Sequence, residues 1–269
     1  MEKKVVDTLA KSVTAGESVA LVSVTDNSGS SPAKCGAIML VNNFGAVCGT
    51  VGGGSLELKV IGKAQECIRL GRSLAVDYSL TEDGGLGMSC GGNVHFFIKV
   101  FSAQPRLIIV GGGHVGMELY QLGLLQGYRV EIFDDREGIA TADRFPAAAL
   151  VVCGDPVAEL TGYQMDCNCF VTIATHSHEL DKMVLAAVAE SEAGYVGMIG
   201  SSRKIKKTLA YLLETGISRE TIGKLYAPMG LNVATIQPKE IAVSIMSEIL
   251  LVKNDGTPEH MKTVKKITF

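Results

Sequence analysis

The sequence predicts an α/β chain in two parts: a smaller α+β domain over residues 1–102, then a doubly wound parallel sheet over residues 103–269. Three observations carry this. In the second half, apolar runs such as Arg106 to Val110 alternate with segments of helical spacing, the pattern of a parallel sheet flanked by helices. Short β-like runs and glycine clusters fill the first half, and the character changes at Phe101-Ser102-Ala103-Gln104-Pro105. A length of 269 residues suits two modest domains at about 150 residues each.

The first-domain elements follow in order from local signals. Lys3 to Val13 reads as a helix, and Ser18 to Thr25, Ala37 to Val41 and Gly45 to Val51 read as strands. After Gly52-Gly53-Gly54, the segment Ser55 to Leu70 has helical spacing, with Leu56, Val60, Ala64, Cys67 and Ile68 on one face and Gly71 as its terminator. Leu74 to Ser79 is a further strand. A second glycine cluster runs from Gly84 to Gly92 around Cys90, and Asn93 to Phe101 is the last strand of this domain.

In the second domain, strands are expected at Arg106 to Val110, Arg129 to Phe133, Leu150 to Cys153, Phe170 to Ala174 and Tyr195 to Ile199. Helices are expected at Val115 to Gln126, Leu180 to Glu190, Arg203 to Glu214 and Pro238 to Val252, the last opened by a proline in its first turn. The final seventeen residues read as a weakly basic tail.

Composition narrows the function classes. With 47% hydrophobic residues, 20% charged residues and a net charge of −3, the chain is too apolar for disorder and too balanced to seek polyanions, which argues against nucleic acid as a main partner. The 31 glycines exceed the usual share of about 7%. No apolar run reaches the roughly 18 residues of a membrane span, and the opening residues lack the apolar stretch of a signal peptide, so a cytoplasmic protein is expected. Seven cysteines without paired spacing indicate neither a disulfide framework nor a zinc ribbon.

The strongest motif is Gly111-Gly112-Gly113-His114-Val115-Gly116, a GxGxxG between strand and helix, as in a Rossmann-like dinucleotide-binding turn. Gly111 suits the tight turn, Gly113 the approach of a pyrophosphate, and Gly116 close packing of helix on strand. Twenty-three residues after Gly111, Asp134 ends the next strand, where a carboxylate commonly meets a ribose hydroxyl. Ser201 and Ser202, between a strand and a helix, could hold a second phosphate, and an ordinary serine N-cap explains them equally well. His176 and His178 follow a strand at its carboxyl end and read as pocket lining rather than metal ligands. In the first domain, Gly52, Gly53, Gly54, Ser55 and Glu57 present backbone amides at a helix start, a place for an anion or a flat ligand, or simply a capped turn. Cys90, flanked by glycines, is the cysteine expected to be exposed and reactive.

Together these residues resemble the XdhC/CoxI family. The first domain carries the resemblance in Ser30-Ser31-Pro32, Gly36-Ala37-Ile38-Met39, Gly49-Thr50-Val51-Gly52-Gly53-Gly54 with Glu57, and Cys90-Gly91-Gly92. The second carries it in Gly113-His114-Val115-Gly116, Asp134-Asp135-Arg136, Arg144-Phe145-Pro146, Thr175-His176 with His178 and Asp181, Ile199-Gly200-Ser201, and Pro238 to Ile245. The resemblance implies an accessory factor for molybdenum hydroxylases that binds molybdenum cofactor (molybdopterin), protects it, supports exchange of an oxo for a sulfido ligand, and helps insert it into a xanthine dehydrogenase-type apoenzyme. It further implies a homodimer, with a cysteine desulfurase as a further partner. The residue after the three glycines is Ser55 where the family often has cysteine, and Ser177 and Asn232 stand where aspartate is frequent. A hydroxyl is a poor substitute for a soft thiolate, so thiol chemistry falls to Cys90. The alternative is an NAD(P)-dependent oxidoreductase built on Gly111, Gly113, Gly116 and Asp134. Hydride transfer needs a positioned acid, and no Tyr-x-x-x-Lys pair is evident, which favours a maturation chaperone over a turnover enzyme.

Overall fold

A computed structural model describes residues 2–29, 33–79, 92–233 and 236–265. The chain divides into two compact units, residues 1–104 and 105–269.

The first unit begins with α1 (Glu2–Thr14) and holds a five-stranded antiparallel sheet of β1 (Val19–Ser28), β2 (Ile38–Asn42), β3 (Gly45–Gly49), β4 (Leu74–Ser79) and β5 (Asn93–Phe101). The strand order is β3-β2-β1-β5-β4. Between β3 and β4 lies α2 (Gly54–Leu70), whose buried residues are Leu56, Val60, Ala64, Cys67 and Ile68, the same five that the helical spacing selects. Gly71 ends α2 in the left-handed conformation, its N–H donating to the Ile68 carbonyl at 3.1 Å. Alternation along β1 divides the packing. Ala20, Val22 and Val24 join the α2 core, whereas Val19 and Leu21 pack with Val5 and Leu9 of α1. Two strand ends differ from the sequence expectation by more than one residue. β1 runs on to Ser28 through an irregular register between Val24 and Asp26, and β3 stops at Gly49, ahead of the glycine turn.

In the second unit, β6 (Arg106–Val110), β7 (Arg129–Asp134), β8 (Leu150–Cys153), β9 (Cys169–Ile173) and β10 (Tyr195–Met198) form a parallel sheet in the order β10-β9-β6-β7-β8. Both faces of β6 are buried. Ile108 and Val110 pack with α5 (His178–Val188) and α6 (Ser202–Glu214), while Leu107 and Ile109 pack with α3 (His114–Leu125) and α8 (Pro238–Asn254). This is the doubly wound arrangement, and the chain reverses its direction of travel across the sheet between β6 and β9. Open α/β sheets hold their ligands at such a point, beyond the carboxyl ends of the strands.

Three short helices escape the sequence reading: α4 (Pro156–Leu160), α7 (Arg219–Gly223) and α9 (Met261–Val264). The last of these places a turn of helix within the stretch expected as a tail. Among the described residues, no helix is long and apolar enough to cross a membrane.

Candidate functional site

The crevice of the second unit is built on the turn from β6 into α3. Gly111 has φ +107°, a conformation that side chains rarely adopt, and a Cβ there would overlap the Ala174 carbonyl at the end of β9. A Cβ on Gly116 would likewise overlap the Gly111 carbonyl oxygen, so α3 starts in direct contact with the turn. Gly113 is different. A Cβ there would meet only Arg136 Nη2, at 3.9 Å, so the loop is open on this side. Gly113 is the N-cap of α3 and supplies no side chain to the first-turn amides, the condition in which a helix start can receive an anion. His114 opens that helix and is exposed.

Asp134 lies at the end of β7 with its side chain 1% exposed. Its Oδ2 accepts from Gly112 N at 2.8 Å and from Arg136 Nη2 at 2.7 Å, and its Oδ1 accepts from Arg136 N at 3.0 Å and Arg136 Nε at 2.8 Å. Burial pushes this carboxyl up, but the Arg136 guanidinium and the two backbone N–H donors more than offset it, holding it below the usual carboxylate range. Four donors occupy the four acceptor directions of the carboxylate. In this geometry Asp134 braces the glycine turn and Arg136, and it has no lone pair left for the ribose hydroxyl expected from its spacing.

A second guanidinium borders the same turn. Arg144 Nη2 donates to the Gly112 carbonyl at 3.1 Å, while its buried Nε is one of two buried side-chain polar atoms without a partner among the described residues. From the end of β9, His176 Nε2 meets Asp135, just past β7, at 3.0 Å. Since β6 lies between those strands, this pair spans the end of the glycine turn.

The other predicted residues fall elsewhere. His178 begins α5 and lines a groove of about 630 Å3 between α5 and α6, shared with Ser201, Lys204, Lys207 and Tyr211. The two histidines thus diverge. Ser201 caps α6 by accepting from Lys204 N at 3.4 Å, the ordinary N-cap role, and Ser202 is the exposed first residue of that helix. Lys204 donates to Asp181 and, at 3.0 Å, to the Ile199 carbonyl. Asp181 in turn accepts from Thr175 N at 2.8 Å, so one buried carboxylate ties β9, α5 and α6 together beside the crevice. Among the described residues no cluster of three His, Cys, Asp or Glu side chains is placed to hold a metal ion.

In the first unit, Gly52 and Gly53 lie in the turn before α2, and Gly54 and Ser55 form its first residues. Glu57 reaches back to this turn, accepting from Val51 N at 2.9 Å, from Gly53 N at 3.2 Å and from the Thr50 hydroxyl. Burial raises its carboxyl, and these three donors together hold it below the ordinary value. Part of the amide nest expected to receive an external anion therefore already holds an internal one. Cys90, with its neighbours from Leu80 to Gly91, lies outside the described residues, as do Ser30, Ser31 and Pro32.

Sequence reasoning placed Gly111, Gly113, Gly116, Asp134 and His176 in one neighbourhood, and the structure gathers them there. That reasoning named Arg136, Arg144, Asp135 and Asp181 among the residues of the resemblance but foresaw none of their contacts: Arg136 on Asp134, Arg144 on Gly112, Asp135 on His176, and Lys204 on Asp181. The spacing Asp134-x-Arg136 directly after a strand is the signal that could have found the first of these, because a residue two positions beyond a strand-end carboxylate can fold back onto it.

Comparison with known proteins covers both units. A family model described as the XdhC Rossmann domain matches residues 107–249, and one described as the XdhC and CoxI family matches residues 12–79. The chain is 31% identical over 240 residues to an uncharacterized protein, YqeB, of Escherichia coli (strain K12), covering 88% of this chain and 44% of that one. It is 25% identical to the molybdenum cofactor insertion chaperone PaoD of the same organism, covering 88% of this chain and 84% of PaoD. A crystal structure of a xanthine dehydrogenase from Bacillus halodurans shares the fold, with a TM-score of 0.52 and 20% identity over 96% of this chain and 98% of that one. The chain spans less than half the length of YqeB.

Proposed function

The chain belongs to the XdhC and CoxI family, and from that premise we propose that it is a maturation factor that carries molybdenum cofactor to a molybdenum hydroxylase apoenzyme. The observation that carries this reading is the likeness to PaoD, which runs through most of both chains and so includes both units, not the Rossmann half alone. An insertion chaperone needs three things: a hold on the cofactor's phosphate, shelter for its reactive end, and a recipient enzyme. The glycine turn with Arg136 and Arg144 beside it supports the first, since guanidinium groups and open amides suit phosphate oxygens.

In this reading the cofactor is cargo. The chain holds it while an oxo ligand on molybdenum is exchanged for a sulfido ligand, with a cysteine desulfurase as the sulfur source, and then releases it to a xanthine dehydrogenase-type apoenzyme. Cys90 is the thiolate we assign to the molybdenum end, on its glycine-flanked sequence alone, and the carrier acts as a homodimer. A second reading, an oxidoreductase using NAD(P), has the strand-to-helix glycine turn in its favour. The saturated Asp134 carboxylate weakens it for a nucleotide with a free ribose diol.

Cys90→Ser tests the carrier reading. A near-isosteric exchange should leave the thermal melt unchanged, while delivery of sulfurated cofactor to an apo-hydroxylase falls to background. Full delivery by the serine variant removes Cys90 from the account, and a lowered melt with normal delivery per folded molecule makes it a structural thiol.

A further inference from the structure

We infer that the edge of the glycine crevice formed by Arg136 is a phosphomonoester seat that discriminates against a bare ribose hydroxyl pair. This rests on the reading of the crevice as a ligand site and adds the chemistry of what it selects. Two features of the same side-chain pair carry it.

The first is the exhaustion of Asp134. Its two oxygens already accept from Gly112 N, Arg136 N, Arg136 Nε and Arg136 Nη2, and the carboxylate is 1% exposed. A ribose diol seeking an acceptor there would have to displace one of these donors, two of which are backbone amides, one in the glycine turn and one in the loop after β7. The second is the orientation of Arg136. Its Nε and one Nη2 hydrogen are spent on Asp134, which leaves both Nη1 hydrogens and the second Nη2 hydrogen for an outside acceptor. The side chain is 36% exposed, and Nη2 lies beside the open face of Gly113, where a Cβ would be 3.9 Å away. A buried carboxylate thus fixes one edge of a planar cation and turns the other edge toward the loop. That is a preorganised fork for two oxygens of a phosphate, a geometry that a lysine does not supply. Arg144, with its Nε unpartnered and its Nη2 on the Gly112 carbonyl, adds a second positive charge to the same turn. Asp135, whose charge also acts on Arg136, is paired with His176 at 3.0 Å.

The dianion has two possible sources, the 2′-phosphate of a dinucleotide or the terminal phosphate of the pterin cofactor. Calorimetry on the full chain with NADP+ and NAD+, together with measurement of pterin cofactor retained on gel filtration, tests the seat and separates the sources. Arg136→Lys keeps a cation on Asp134 and removes the fork. With the dinucleotide as source, NADP+ binds at least about tenfold tighter than NAD+, and the lysine variant reduces the preference by about that factor, the worth of one charge-assisted hydrogen bond. With the pterin as source, neither dinucleotide binds, and the variant loses cofactor by a similar factor. The wild-type preference decides the dinucleotide case even where the variant melts early, and Arg144→Lys then repeats the retention test for the pterin case. Equal or tighter binding of NAD+ overturns the phosphate seat and leaves the crevice a ligand site. Binding and retention both indifferent to the lysine variants overturn the seat as well. A wild-type chain that holds neither dinucleotide nor pterin overturns the underlying reading with it.

Discussion

Asp134 shows how a residue's position and its role separate. Its place at the end of the second strand of the parallel sheet could be read from a spacing of glycines and an apolar run, because strand length and turn geometry leave few other places for it. Its role could not, because spacing does not say which donors a carboxylate will meet. Arg136, two residues on, takes three of the four acceptor directions through its backbone and side chain. The consequence for stability has a definite sign. A carboxyl held below its unfolded value contributes stability that is present above that value and is lost as pH falls through the folded one. Asp134→Asn should therefore be less stable than the parent at pH 7, and the gap should close as denaturation is repeated toward pH 3. A gap that stays constant with pH would mean that charge at Asp134 contributes nothing. Cys90 marks the opposite limit: its assignment rests on sequence alone, since glycine neighbours speak to access and not to contacts.

Long, periodic elements were legible where short ones were not. The α2 helix was recoverable down to the five side chains it buries, since seventeen residues give the 3.6-residue period several turns in which to show itself. Strand β6 was equally clear, five apolar or amphipathic residues bounded by Pro105 and Gly111. Helices α4 and α7, at five residues each, span little more than one turn and carry no period to detect. Both are nonetheless capped: the Asp155 carboxylate, before Pro156 in α4, accepts from Val157 N at 3.0 Å, and the Ser218 hydroxyl, before α7, accepts from Thr221 N at 3.0 Å. The face of α2 is open to a direct check. Leu56→Ala removes a fully buried side chain and should cost about 2–5 kcal/mol in denaturant unfolding. Leu58→Ala, on the exposed side of the same helix, should stay within about 0.5 kcal/mol. Equal losses at the two positions would mean that α2 presents a different face to the sheet.

At the scale of the molecule, two units of different construction share one chain, an antiparallel sheet packed between α1 and α2 and a doubly wound parallel sheet. The fold class and the family were both readable beforehand, since the motifs that carry them lie in order along most of the sequence and the family models match in both halves. The cargo was not, because a glycine turn beside arginines suits any phosphate. Native mass spectrometry of the full chain produced in a molybdenum-replete host tests the carrier reading most directly. The account predicts a bound species whose mass increment equals molybdenum-loaded pterin cofactor and which is lost when the host is deprived of molybdenum. A chain that carries only a nicotinamide dinucleotide, or that emerges bare from a host whose hydroxylases are fully loaded, would contradict it.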